Sequence, residues 1–226
     1  FPGSFVREKY YKDVWTTKVH LKKGYTSIYE FSWEDYYIYM LVHLAKHIKL
    51  GGSGIRSIID IKIFLDKKKE ELNWDYVKEE LKKLHLSQFE YWMRQLSEVW
   101  FGTEKTTPLY DELTEFIVDS GTYGTIKNYH ASHVVELGGK NQNLSVGKIR
   151  SKLEIIFLPY EGMQEQYLYL EKFPFLLPVA WIQRIFRTIV WRKDKITSTL
   201  QSTNIEQDRL EKVKKVMDAL ELFESD

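Results

Sequence analysis

Residues 43 to 61 read HLAKHIKLGGSGIRSIIDI, which places two imidazoles, two lysine ammonium groups, a glycine-rich turn, a guanidinium and a carboxylate within nineteen positions. At 100° per residue, His43, Lys46 and His47 fall on one flank of a helix, beside its apolar stripe. The two histidines have the i, i+4 spacing of a metal pair. The glutamate of the zincin H-E-x-x-H pattern is missing, however, and Lys46 between them opposes a cation, so helix-surface or core-edge histidines are expected and no metal site. Ser53 is placed to cap the next helix, and Gly51, Gly52 and Gly54 would let backbone N–H groups approach a ligand closely. Arg56 lies in the first turn of that helix and Asp60 one turn later. That order runs against the helix dipole, which favours acid first and base last, so a local pair explains it poorly. An anion held near Arg56 and the helix N-terminus explains it better. The candidate nucleotide- or phosphate-binding residues are therefore His43, Lys46, His47, Ser53, Arg56 and Asp60, with no catalytic residue and no metal ligand among them. The alternative is a structural Arg56–Asp60 pair that fixes two helices at an angle.

The elements that must position these side chains read as helices. Residues 5–19 have helical period, and 25–32 is a short extended piece. Ser32 is a good N-cap with Asp35 three residues on, and Tyr37, Met40, Leu41, Leu44 and Ile48 follow at helical spacing. In the helix after the glycines, Ile55, Ile58, Ile59, Ile61, Ile63, Phe64 and Leu65 surround most of the axis, which predicts a buried helix. Asn73 caps a helix over 73–84. Further helices are expected at 87–101, 108–119, 124–136, 145–158, 161–172, 178–192 and 204–223, with Pro108 and Pro178 in first turns. Gly121 suits the position just past a helix end, and Tyr123 beside it an anchor. The stretch 137–145 reads as a flexible loop and 197–204 as a linker. The fold class is mainly all-α, an irregular multi-helix bundle with at most a short strand or hairpin near 19–32. Two regions follow, 1–196 and a linker with terminal helix at 197–226.

The chain of 226 residues is long enough for a substantial core, and its 15% aromatic content argues against disorder. Thirty-three basic residues nearly cancel thirty-two acidic ones, so there is no chain-wide field for nucleic acid, and no nucleic-acid partner is expected. With no cysteine at all, disulfides and thiolate chemistry are excluded, and a cytoplasmic setting is expected. The start at Phe1, without methionine or a signal pattern, reads as a fragment of a longer protein. No run is long and apolar enough for a transmembrane segment. Residues 178–193 set Trp181 and Ile185 against Arg184 and Arg187. This predicts a packed helix with solvated arginines, with a membrane-surface helix as the alternative.

Several chemistries are excluded by pattern. The GSG at 52–54 is not a Walker A loop, because no G-K-[ST] follows. No Asp-x-Asp occurs, so the paired carboxylates that hold Mg2+ for attack on a nucleoside triphosphate are absent. No G-x-S-x-G occurs either.

Five stretches in order, YYIYMLVHLAKH (36–47), GGSGIRSIIDI (51–61), LNWDYV (72–77), SGTYGT (120–125) and FPFLLPVAWIQRIFR (173–187), resemble the C-terminal helical region of the uncharacterised nucleotidyltransferase family of bacterial proteins. The resemblance runs from about residue 9 to 193. It implies a parent protein in which a small α/β core, bearing Gly-Ser, Asp-x-Asp and a third carboxylate, precedes this region and is its partner. It also implies Mg2+ and an NTP as cofactor and substrate of the parent alone. This chain lacks that core and would be inactive by itself. The remaining alternative is a non-catalytic helical protein-interaction module.

Overall fold

The computed structural model describes residues 5–122, 124–138, 143–191 and 205–222. The chain forms two units, one of Phe1–Tyr129 with Lys212–Asp226 and one of His130–Glu211.

The first unit opens with α1 (Phe5–Tyr11) and α2 (Val14–Thr17). A single helix over 5–19 is not formed. It breaks at Asp13, whose backbone leaves helical geometry and whose carbonyl accepts from the hydroxyls of Thr16 and Thr17 at 3.0 and 2.9 Å. Threonines bond the local backbone in this way and weaken a helix. Strands β1 (Val19–Leu21) and β2 (Tyr29–Phe31) pair antiparallel with His20 opposite Glu30, the hairpin expected near 19–32. Then α3 (Trp33–Lys49) starts where predicted, because the Ser32 hydroxyl accepts the Asp35 amide at 3.1 Å.

Four helices follow: α4 (Ile55–Lys68), α5 (Trp74–Lys83), α6 (Ser87–Phe101) and α7 (Pro108–Asp119). Asn73 caps α5 through the Tyr76 amide. Tyr37, Ile38, Leu41 and Ile48 of α3 are fully buried, as are Ile58 of α4, Val77 of α5 and Phe89, Met93 and Leu96 of α6. Each such side chain contributes about 1.5–3 kcal/mol on burial, against about 0–1 kcal/mol for an exposed ion pair, so this apolar seam holds the unit. The expectation that α4 is a buried helix is corrected. It is amphipathic: Ile58, Ile61, Phe64 and Leu65 face inward, whereas Ile55 and Ile63 remain 45% and 49% exposed. Counting isoleucines overestimated the buried face, because Arg56, Asp60 and Asp66 need solvent on the other side.

The chain continues through α8 (Ile126–Leu137), α9 (Leu144–Ile156), α10 (Tyr160–Gln164), α11 (Leu177–Trp191) and α12 (Gln207–Ala219). The helix expected over 161–172 is interrupted after Gln164 and resumes as a 3-10 turn at Leu168–Glu171. In the second unit Met163, Leu170 and Ala180 form a small core lined by Leu158, Tyr167 and Trp181. There α8 and α9 touch backbone to backbone, since a Cβ on Gly147 would lie 1.9 Å from the Val134 carbonyl oxygen. In the first unit Lys212 pairs with Glu115 at 3.0 Å and Lys215 pairs with Glu112. The class is mainly all-α, with two strands among the described residues. Tyr123, the linker at 197–204 and residues 139–142 of the expected loop lie outside those residues. No helix among them is long and apolar enough to cross a membrane.

Candidate functional site

The stretch 43–60 spans the end of α3, a glycine turn and the start of α4. His43 stacks on Tyr39 with ring centroids 6.0 Å apart, and its Nε2 lies 3.0 Å from Nε2 of His47. One imidazole N–H therefore donates to its neighbour's bare nitrogen. Burial, then the charges of His43 and Lys46, lower the pKa of His47 below the usual histidine value. The flank expected to carry His43, Lys46 and His47 is thus formed.

The glycine turn has a different role from the expected one. Gly51 takes φ +119°, and its N–H donates to the Ile48 carbonyl at 3.3 Å while the Gly52 N–H donates to the His47 carbonyl at 2.9 Å. This closes α3 as a Schellman motif and occupies both amides. What approaches the turn closely is a second one, at 120–125. The Thr125 N–H donates to the Gly51 carbonyl at 3.1 Å, and a Cβ on Gly52 would sit 1.9 Å from Ser120 Oγ. Reciprocally, a Cβ on Gly124 would sit 2.8 Å from the Gly51 carbonyl. Ser120 Oγ is itself fixed, donating to the Phe116 carbonyl at 2.6 Å and accepting from Asn128 Nδ2 at 3.1 Å. Gly121, with φ +61°, ends α7 as expected. The two glycine turns, about seventy residues apart, interlock.

Ser53 is not the cap of α4. The N-cap is Gly54, and the Ser53 hydroxyl lies 2.8 Å from that of Ser57, because the preceding turn is buried and holds Ser53 inward. Arg56 and Asp60 are both exposed on α4, and no hydrogen bond or ion pair joins either to a partner among the described residues. The alternative of a structural Arg56–Asp60 pair is therefore not realised. Arg56 presents its guanidinium to solvent in the first turn of α4.

A second cluster escaped sequence reasoning. Lys18, just before β1, reaches Glu80 and the Tyr76 hydroxyl of α5 at 2.8 Å each and Asp35 of α3 at 3.3 Å. Tyr76 donates to Asp35 at 2.9 Å, and Tyr10 and Lys83 also reach Glu80. Burial pushes the Glu80 carboxyl up, but bonds from Lys18, Lys83 and Tyr10 outweigh it and bring the pKa down to about 2. Burial likewise opposes the Lys18 ammonium, and Glu80, Tyr10 and Tyr76 raise it above the ordinary lysine range. Charges and donors here are mutually satisfied, so the cluster pins the hairpin end to α3 and α5. Only the i, i+4 spacing of Tyr76 and Glu80 hinted at it.

Along α4 and α6 lies a cleft of about 530 Å3, lined among others by Lys62, Asp66, Arg94 and Glu98. Its four bases and four acids cancel, so it does not select an anion. Among the described residues no three His, Asp or Glu side chains group as a metal site, and the sequence has no Asp-x-Asp.

One comparison bears on residues 1–102 of the 226. Residues 1–102 match the family model of an uncharacterised nucleotidyltransferase. The matched span contains α1 to α6, the whole 43–60 element and the Lys18 cluster. Of the five stretches that carried the resemblance, the first three fall inside the nucleotidyltransferase match and the last two beyond it. No curated protein and no solved structure matches the chain.

Proposed function

We propose that this chain is the helical portion of a nucleotidyltransferase in which a separate core, with Gly-Ser, Asp-x-Asp and a third carboxylate, moves a nucleotidyl group from an NTP to an acceptor. Mg2+ and the NTP would be engaged by the full-length protein, in the cytoplasm, and the chain alone would be inactive. The observation that carries this reading is the family match over residues 1–102, which contains every candidate site residue.

In this reading the 43–60 element supplies fixed positive charge to phosphate. Arg56, exposed at the start of α4 and unpaired among the described residues, offers a fork of donors beside the positive end of a helix dipole. Lys46 adds charge from α3, and His43 with His47 orients the ligand. Asp60, one turn along α4, engages a base or sugar hydroxyl. The interlocked glycine turns, with Ser53 held against Ser57, make the element rigid, so the charge is preorganised for phosphate. Incubation of the chain with MgNTP should release no pyrophosphate, and release at a rate above background would refute the proposal that the transfer chemistry belongs to a separate core.

An observation also favours the second reading, a non-catalytic interaction module. Around the hairpin Trp15 is 72% exposed and lies edge-on to Tyr29, with Leu21, Tyr25 and Ile28 exposed as well. Aromatic surface of this kind suits a protein partner. Under the first reading that partner is the nucleotidyltransferase core.

A further inference from the structure

The second unit carries apolar surface that its own packing does not use. One side of α11 is anchored: the Trp181 indole N–H donates to the Leu158 carbonyl at 2.8 Å, and its ring meets Phe157. Another side shows Val179, Ile182 and Phe186 to solvent, continuing a line begun by Phe175 in the turn before the helix. The spacing of these four is i, i+4, i+7 and i+11, one continuous helical stripe. Phe175, Ile182 and Phe186 are 75%, 67% and 70% exposed. Helix α9 repeats the pattern with Val146, Ile149, Leu153 and Ile156, all exposed at i, i+3, i+7 and i+10. Scattered apolar side chains on a surface need no explanation, whereas two continuous stripes mark an interaction face.

Charge indicates what the face meets. Helices α9 and α11 hold five basic residues and one acid, Glu154, which faces His133 at 2.8 Å. Lys148 and Arg150 donate to neutral oxygens, of Gln207 and the Leu137 carbonyl. Lys152 and Arg187 make no ion pair among the described residues. These two helices are therefore strongly cationic in a chain whose net charge is only +1. Apolar stripes bordered by cations, on helices too short and too polar to span, suit the plane of an anionic bilayer surface.

We propose that α9 and α11 form a docking face for an anionic membrane surface. Phe175, Ile182 and Phe186 enter the boundary between headgroups and acyl chains, while Lys152 and Arg187 meet lipid phosphates. The test is flotation of the full chain with vesicles of phosphatidylglycerol and phosphatidylcholine in equal parts, against phosphatidylcholine alone. The chain should float with the anionic vesicles and remain behind with the neutral ones. Arg187→Glu should weaken partitioning by at least about fivefold, the effect of one basic residue near such a surface. The double variant Ile182→Glu/Phe186→Glu should abolish it while circular dichroism and light scattering stay unchanged, because both side chains are exposed. Absence of flotation, equal flotation with neutral vesicles, or flotation untouched by the double variant would each overturn the proposal. So would a dimer that the double variant dissociates without any vesicle binding, which would assign the face to a second copy of the chain.

Discussion

Gly52→Ala is the sharpest perturbation of the interlocked turns. Two costs add at this position. The backbone sits at φ +114°, where a residue with a Cβ loses about 1–2 kcal/mol. The added methyl would also lie 1.9 Å from Ser120 Oγ and 2.3 Å from its Cβ, an overlap of the kind that costs about 1–3 kcal/mol in a packed interior. Ser120 cannot rotate away cheaply, since Phe116 and Asn128 hold its hydroxyl from two sides. The sum, about 2–5 kcal/mol, is a large part of the roughly 5–15 kcal/mol typical of a folded domain. Urea unfolding followed by tryptophan fluorescence measures it, because Trp15, Trp33, Trp74, Trp92 and Trp100 all lie in the first unit. Gly24→Ala serves as the control. It has φ +85° but nothing within 4 Å of the added atom, so it should lose only the backbone share, about 1–2 kcal/mol. A double-mutant cycle with Ser120→Gly should recover about 1–3 kcal/mol of the Gly52→Ala loss, the steric part alone. A Gly52→Ala loss no larger than that of Gly24→Ala, or a cycle with no coupling, would refute the interlock.

Two further outcomes follow from titrating groups. The folded Glu80 carboxyl is held at about 2 against an ordinary 4.5. A depressed acid of this kind adds stability that is full above the unfolded value and is lost as pH falls from about 4.5 towards 2, worth about 2 kcal/mol once screening by nearby solvent is allowed for. Glu80→Gln should therefore flatten the acid limb of the stability curve, and an unchanged limb would contradict the network. The His47 imidazole should titrate below the usual histidine range by NMR, and His43→Ala should move it upward by removing a neighbouring charge; no movement would count against the contact.

Local signals were readable because their physics is local. Ser32 and Asn73 cap their helices through side chains that reach amides three residues on. The 3.6-residue stripe of α3 buries Tyr37, Leu41, Leu44 and Ile48 as it indicated, with Met40 half-buried at its edge. What was hidden depends on contacts distant in sequence. The glycines at 51 and 52 looked like room for a ligand, and only the 120–125 turn shows what fills that room. Lys18, Asp35 and Glu80 belong to three different parts of the chain, and no spacing rule joins them. The same limit applied to Ser53, whose hydroxyl is aimed at Ser57 by the buried turn rather than at the helix end. The charges of the 43–60 stretch were legible in the sequence, whereas whether Arg56 meets an anion, as the dipole argument expects, depends on a ligand that no spacing rule supplies.

The most direct measurement of the central claim is isothermal titration of ATP into the chain and into its Arg56→Ala variant. Arg56 is exposed, so the variant should fold unchanged. The account predicts that the chain binds ATP and that Arg56→Ala weakens binding by roughly tenfold or more, the loss of one charge-assisted phosphate contact of about 1.5–3 kcal/mol. No heat of binding, or the same affinity in both proteins, would contradict it.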